Sequence, residues 1–239
     1  TFLGTGKTST LVEYARTRPS MKFLNVVYNK SVEQLAKRTF PKNVECRTAH
    51  SLAYGKVGFR YRHKMTANYK VFDVKDTITK PAEISMNHLR FTKLVIKTVE
   101  SFMSSADEFI TTAHVPKTAT ELNDTVVEVL EVSASESLAI AAQAEAFWHR
   151  AIDPNDLSVR ITHDGYLKKF QLEKPYLGSY DCIFVDESQD CNPAMLDFIL
   201  AQRCPKILVG DPHQQIYAFR KAIDALSSVP GTHKYYLTK

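Results

Sequence analysis

The chain has 239 residues, of which 44% are hydrophobic and 24% charged, and its formal net charge is +5. This composition is typical of a soluble globular protein, and the length suits one large domain or one domain that carries an inserted second one. No transmembrane helix or secretory signal can be read in the sequence, and the basic balance allows an anionic partner without identifying one.

The cysteines and histidines do not indicate a zinc site. The cysteines have no C-x-x-C pair, and the scattered histidines show no ligand spacing. We therefore expect reduced thiols in a cytosolic or nuclear protein. The four cysteines are Cys46, Cys182, Cys191 and Cys204.

The chain begins with a glycine-rich stretch that contains Gly4, Thr5, Gly6, Lys7, Thr8 and Ser9. Its glycines lack the Cβ atoms that would keep a loop from wrapping phosphates, and Lys7 can reach the β and γ oxygens of a triphosphate. Thr8 supplies a hydroxyl for Mg²⁺, and a helix predicted over residues 7–17 points its positive end at the same phosphates. The stretch predicts a nucleotide-binding loop.

The match to the full G-x-x-x-x-G-K-[ST] pattern is partial, because Thr1 stands where the first glycine belongs. A glycine-rich turn before an ordinary helix is the alternative for this stretch taken alone.

The next residues are typical of the start of an α/β nucleotide fold. The apolar run 22–28 predicts a buried parallel strand, and residues 31–40 predict a second helix that Pro41 ends. A phosphate loop, helix, strand and helix in this order indicate an α/β fold.

A basic, aromatic stretch without acidic residues lies between Cys46 and Phe72. Cations for phosphates beside rings for bases suit single-stranded nucleic acid. The alternative is a solvated basic helix whose rings face the core. The residues concerned are Lys56, Arg60, Arg62, Lys64, Lys70, Phe59, Tyr61 and Tyr69.

Helical patterns dominate from residue 73 to about residue 161. Ser133 and Glu136 predict a capping box ahead of an alanine-rich helix over 138–151. Residues 119–148 include acidic side chains and no lysine or arginine. This part is therefore expected to face away from a polyanion.

The α/β pattern returns with a hydrophobic strand at 182–185 that ends in Asp186 and Glu187. A carboxylate at the carboxyl end of such a strand lies where α/β sheets bind ligands. We expect Asp186 to hold Mg²⁺ through water and Glu187 to orient or deprotonate the attacking water. An acidic turn is the alternative, but it does not explain a matching phosphate loop upstream.

A second strand, predicted over 206–209 after a helix that begins at Asn192, leads into the segment 210–220. Gln214 could sense a γ-phosphate through its amide, and Tyr217, Phe219 and Arg220 could contact a base or a backbone. One segment able to contact both ligands is a candidate coupler between hydrolysis and DNA binding.

Five sequence blocks occur in the order found in UvrD/Rep-type superfamily 1 DNA helicases. They are GTGKT, TAHSLAYG, THDGYLK, VDESQD and VGDPHQQIYAFR. The wording of the last three resembles the F-box DNA helicase branch most. The resemblance covers nearly the whole chain and implies a RecA-like P-loop NTPase parallel sheet with an inserted, mainly helical subdomain. The implied bounds are 1–55 and 163–239 for domain 1A and 56–162 for the insertion 1B.

The resemblance also implies a role for each matching residue. ATP and Mg²⁺ are the implied cofactors, with Thr8 and Asp186 at the metal. The implied catalytic residues are Lys7, Asp186, Glu187 and Gln214. The implied DNA contacts are Asn29, Thr48, His50, Tyr54, Tyr217, Phe219 and Arg220.

Three departures from the family pattern concern local geometry. Thr1, Phe2 and Leu3 replace the small residues usual at the start of the phosphate loop. Ser188 stands where alanine is usual, and Lys221 replaces a common glycine.

The implied function is ATP-dependent translocation on single-stranded DNA and unwinding, 3′ to 5′, in recombination or repair. The implied location is the nucleus for an F-box helicase relative and otherwise the cytoplasm. Implied partners are recombination proteins, and ubiquitin-ligase subunits if an F-box lies upstream. The alternatives are an inert relative that binds single-stranded DNA or a protein, and a P-loop ATPase that is not a helicase.

The family hydrolyses ATP between two motor domains, and the chain carries motifs of the first only. We expect the isolated chain to be nearly inactive as an ATPase, because losing the arginines of the second domain costs roughly 10³ to 10⁵ in rate. Phosphate release with and without single-stranded DNA measures this. DNA-stimulated turnover close to that of intact family members would contradict the expectation.

Overall fold

The computed structural model describes residues 6–117 and 132–211 together with positions 233 and 235. The chain forms two compact units. The helical unit is Ala53–Glu173, and the described residues of Thr1–Leu52 and Lys174–Lys239 belong to the α/β unit.

A parallel sheet is the centre of the α/β unit. Its strands are β1 (Phe23–Val27), β2 (Val44–Thr48), β3 (Cys182–Val185) and β4 (Lys206–Leu208), in the spatial order β2-β1-β3-β4. All three strand pairs are parallel. Every residue of β1 and β3 is buried, as expected of parallel strands covered on both faces. The predicted α/β class is confirmed.

Two helices of this unit, the one that begins at Lys30 and the one that begins at Pro193, have an asparagine side chain as their N-cap. Asn29 accepts a hydrogen bond from the Val32 N–H at 2.9 Å, and Asn192 accepts one from the Met195 N–H at the same distance. Such side chains satisfy amide groups that have no partner within the helix. The helices are α1 (Lys7–Arg16), α2 (Lys30–Thr39), α3 (Ala49–Lys56, shared between the units) and, later in the chain, Pro193–Leu200.

Aromatic packing joins the two central strands to α1. The rings of Phe23 and Phe184 stack with centroids 4.9 Å apart. Tyr14 meets both rings edge-on at 6.1 Å. Because these residues come from both parts of the chain, the contact closes one core from two distant segments.

The helical unit has its own core. Its helices are α4 (Val71–Val74), α5 (His88–Ser104), α6 (Ala134–Ile152) and α7 (His163–Leu172), so Pro193–Leu200 is α8. Phe102 and Trp148 pack edge to face at 5.4 Å between α5 and α6. The predicted capping box is present, with both reciprocal hydrogen bonds between Ser133 and Glu136.

Two elements differ from the sequence interpretation. Strand β2 was not predicted, although its alternate residues are buried. Helix α7 lies in the helical unit, whereas the sequence placed 163–239 in the second α/β segment. Leu167 and Phe170 explain the difference, because both are fully buried and the helix packs against α5.

A buried carboxylate stabilises α2. Glu33 is 1% exposed at its side chain and accepts hydrogen bonds from Lys30, at 3.1 Å, and from Lys37. Burial acts to raise its pKa, but the two ammonium groups outweigh this and hold the pKa below its ordinary value. A depressed pKa means that the contribution to stability is present above the unfolded pKa and is lost as pH falls through the folded one.

We expect Glu33→Gln to lower the free energy of unfolding by about 1 kcal/mol at neutral pH. The difference from the parent chain should shrink as pH falls through the lowered pKa of the folded carboxylate, because the parent side chain then becomes neutral like the glutamine. Urea titrations between pH 3 and pH 7 would measure it. The control is Glu13→Gln, which breaks an exposed pair with Arg16. A loss that stays constant with pH would contradict the assignment.

Candidate active site

One hydrogen bond joins the first helix to a residue far along the chain, at the carboxyl edge of the sheet. Thr8 Oγ1 donates to Asp186 Oδ2 at 2.9 Å, across 178 positions of sequence. Thr8 lies in the first turn of α1, and Asp186 directly follows β3. The structure therefore brings the predicted phosphate-loop hydroxyl and the predicted acidic residue together.

The start of α1 has the geometry of an anion-binding terminus. Gly6 has φ 77° and ψ 11°, a left-handed conformation, and a Cβ there would have no heavy atom within 4 Å. Glycine is required by the backbone angle, not by crowding. The helix has ten residues and begins at Lys7, and the amide groups of a first helical turn have no partner within the helix, so they can bind an anion. Gly4 and Thr5 lie outside the described residues.

Asp186 is a carboxylate whose charge is under-compensated. It is 5% exposed, and burial raises its pKa. The charge of Glu187 acts in the same direction, whereas the hydroxyl of Thr8 and the cation of Lys7 lower the pKa. A cation bound beside it would stabilise the ionised form.

The donor set fits Mg²⁺. The hydroxyl oxygen of Thr8 and a carboxylate oxygen of Asp186 lie 2.9 Å apart. Mg²⁺ uses one or two protein oxygens with substrate phosphates and waters rather than a full protein cage. The described part of the chain holds no cluster of three or more histidine, cysteine or acidic side chains that could hold a metal ion.

Glu187 has an unusual backbone conformation. Its φ of 52° and ψ of 49° are left-handed, which costs a residue with a side chain about 1–2 kcal/mol. Its N–H donates to Asp186 Oδ1 at 3.1 Å, and its carboxylate accepts from Gln189 at 2.7 Å. Strain of this kind concentrates at functional sites. Gln189 was not predicted as a site residue, although it stands in the VDESQD block.

The predicted DNA contacts of the α/β unit lie at or just after the carboxyl ends of β1 and β2. Asn29 uses its side chain as the cap of α2, and Thr48 Oγ1 accepts a hydrogen bond from the Ser51 N–H at 3.0 Å. His50 is half-buried in α3. Carboxyl ends of parallel strands meet at one edge, so these residues share the edge of Asp186.

Of the remaining predicted DNA contacts, one lies in the helical unit and the others lie outside the residues that the structure describes. Tyr54 is 40% exposed and packs edge to face on Tyr166, with centroids 5.9 Å apart. Four predicted residues, the γ-phosphate glutamine among them, lie outside the described residues. They are Gln214, Tyr217, Phe219 and Arg220.

The basic, aromatic stretch contains fewer accessible groups than its sequence suggests. Tyr61 and Tyr69 are buried, at 2% and 8% exposure. Lys64 is also buried, and its ammonium donates to backbone carbonyls of Arg150, Asp153 and Asp156 at the end of α6. The alternative of a solvated basic helix whose rings face the core therefore describes the two tyrosine rings, which are buried, but not Lys64, whose ammonium is buried rather than solvated. The exposed members are Lys56, Phe59, Arg60, Arg62 and Lys70.

Comparison with known families identifies the family of this chain. The family described as UvrD/REP helicase N-terminal domain matches residues 20–228. The chain belongs to this family. The matched residues include Asp186 and Glu187. They begin after the phosphate-loop stretch, so Lys7 and Thr8 lie outside the match.

Two curated relatives of this UvrD/REP chain match it over its whole length. "F-box DNA helicase 1" of Gallus gallus is 43% identical over 243 residues, which are 24% of that protein. "F-box DNA helicase protein 1" of Schizosaccharomyces pombe is 31% identical over 263 residues, which are 28% of that protein. The chain thus spans about a quarter of the length of these relatives. Among the described helices none has the length and apolar character needed to cross a membrane.

Ser188, in the acidic block, has a buried hydroxyl in an unfavourable environment. Its side chain is fully buried, and its Oγ has no hydrogen-bond partner among the described residues. A buried hydroxyl without a partner has lost its hydrogen bonds to water without replacement.

We expect Ser188→Ala to raise the free energy of unfolding by about 1 kcal/mol, because it removes that hydroxyl. Urea denaturation with an unchanged m-value would measure it. The matched control is Ser51→Ala, which should destabilise the chain, since Ser51 Oγ donates to the Thr48 carbonyl at 2.9 Å. A loss of stability in Ser188→Ala would show that the hydroxyl has a partner.

Proposed function

We propose that this chain is the first motor domain of an ATP-dependent DNA helicase that moves along single-stranded DNA and unwinds duplexes. The observation that carries the proposal is the hydrogen bond between Thr8 and Asp186. It sets a phosphate-loop hydroxyl beside an acidic residue that follows a strand, as a P-loop NTPase requires. Membership of the UvrD/REP family and the names of two DNA helicase relatives support DNA as the nucleic acid that the protein binds.

Each residue at this edge of the sheet has a separate proposed role at the triphosphate. Lys7 and the first amide groups of α1 would hold the phosphate oxygens. Thr8 and Asp186 would hold Mg²⁺, which supplies charge neutralisation at the β and γ oxygens when bound. Glu187, strained and fixed by a hydrogen bond, would orient the attacking water and accept its proton.

The DNA contacts form the second part of the proposal. In the α/β unit, Asn29, Thr48 and His50, at or after the carboxyl ends of β1 and β2, would contact the DNA. In the helical unit, Tyr54 would do so. The proposal adds Gln214, Tyr217, Phe219 and Arg220 by sequence position. Gln214 would sense the γ-phosphate, and the two rings would stack on bases. In this view the α/β unit corresponds to domain 1A and the helical unit to 1B.

The proposed biological setting draws on the relatives and on the family resemblance. Both relatives are named F-box DNA helicases and come from eukaryotes, which supports a nuclear location. The role in recombination or repair is part of the proposal and comes from the resemblance of the sequence blocks. The direction 3′ to 5′ belongs to the same proposal. Recombination proteins are the proposed partners, with ubiquitin-ligase subunits added if the gene also encodes an F-box.

We expect Lys7→Ala to abolish unwinding by the full-length product of the gene while single-stranded DNA binding survives, because the phosphate cation is lost and the DNA contacts are not. Strand displacement and fluorescence anisotropy measure the two activities. The matched control is Lys42→Ala, an exposed lysine just before β2 and therefore at the opposite edge of the sheet.

Undiminished unwinding by the Lys7 variant would refute the proposed site. A parent protein that binds single-stranded DNA but has no affinity for Mg-ATP would instead favour the inert relative.

A further inference from the structure

A glutamine outside the proposed catalytic set bridges two parts of the site. Gln189 lies in the short 3-10 turn Ser188–Asp190 and is 2% exposed. Its Nε2 donates to Glu187 Oε2 at 2.7 Å, and its Oε1 accepts from the Asp211 N–H at 3.1 Å. One side chain therefore contacts the proposed water-orienting carboxylate and the backbone that follows β4.

The orientation of this amide is set by its neighbours. A backbone N–H can only donate, so the amide oxygen must face Asp211. An ionised carboxylate can only accept, so the NH₂ group must face Glu187. Neither contact would remain if the amide were reversed, and each end therefore fixes the other.

The bridge depends on the glycine at position 210. A Cβ on Gly210 would lie 2.5 Å from Gln189 Oε1 and 2.7 Å from Ser188 Oγ. The Ser188 N–H donates to the Val209 carbonyl at 2.9 Å and holds the turn against the end of β4. The absence of a side chain at position 210 is what lets Gln189 reach Asp211.

We infer that Gln189 is a positioning residue for ATP hydrolysis: it holds the Glu187 carboxylate in one orientation and ties it to the backbone that leads into residues 212–220. This inference rests on the proposed function, since it needs Glu187 to act on water. Glu187 gains from such a holder because its left-handed backbone leaves the carboxylate without support from a regular helix or strand. A bond at each end of the amide makes the orientation of Glu187 depend on the position of Asp211.

The direct test is Gln189→Met in the full-length product, since methionine keeps the length and removes both hydrogen bonds. We expect kcat for DNA-stimulated ATP hydrolysis to fall about 10- to 100-fold, the usual effect of losing a partner that orients a reacting group. KM for Mg-ATP should change by less than about threefold, because the phosphate and Mg²⁺ contacts are untouched.

Two further variants separate the ends of the bridge. Gln189→Glu keeps an acceptor for the Asp211 N–H but sets a carboxylate against Glu187, and it should lower kcat as well. Gly210→Ala keeps glutamine at position 189, but its added methyl group displaces the side-chain amide of Gln189 by steric contact. This variant should show the same loss of kcat with little change in KM.

Gln202→Met is the matched control for stability. Gln202 is another buried glutamine of the α/β unit, 8% exposed, and its amide makes three hydrogen bonds, to Leu177 N, Pro175 O and Phe198 O. It should lose thermal stability and keep its kcat per folded molecule.

The outcomes are distinguishable. If the parent protein and the Gln202 variant hydrolyse no ATP with Mg²⁺ and DNA, the proposed function fails. If they are active and Gln189→Met keeps its kcat, or changes only KM, the inference is overturned and the proposed function stands. A kcat loss in Gln189→Met no larger than that in Gln202→Met would also overturn it, because the role would then be structural only.

Discussion

The hydrogen bond from Thr8 to Asp186 is the contact on which the candidate site depends. It joins residues 178 positions apart, so no local preference can form it. The parallel sheet makes it possible, because β1 and β3 pair side by side and deliver their carboxyl ends to the same edge. Any change that shifted β3 against β1 would move Asp186 away from α1 and separate the two halves of the site.

The helical unit can interrupt the α/β unit because each unit has its own core. The stacked pair Phe23 and Phe184 joins both parts of the α/β unit. Phe102 and Trp148 belong to a separate cluster within Ala53–Glu173. Burial of apolar area within each unit supplies its stability, so the long insertion need not disturb the pairing of β1 with β3.

The polar residues after β3 show how strain and function coincide. Asp186 has a raised pKa, Glu187 a left-handed backbone, and Ser188 a buried hydroxyl without a described partner. Each is unfavourable for folding alone. Gln189 offsets part of this by hydrogen bonding at both ends of its amide. Under the proposed function, this segment positions charged groups at a cost in stability.

Local patterns in the sequence determined the α/β class, the buried strands at 22–28 and 182–185, and the capping box at Ser133, because these depend on neighbouring residues. Family resemblance added the names of the site residues. Tertiary structure alone decided that Tyr61, Tyr69 and Lys64 are buried rather than available to nucleic acid, since burial depends on partners far along the chain. The pairing that makes β2 a strand, the place of α7 in the helical unit and the bridge from Gln189 to Asp211 have the same cause. Each needs two segments brought together by the folded core, and a linear pattern does not contain that information.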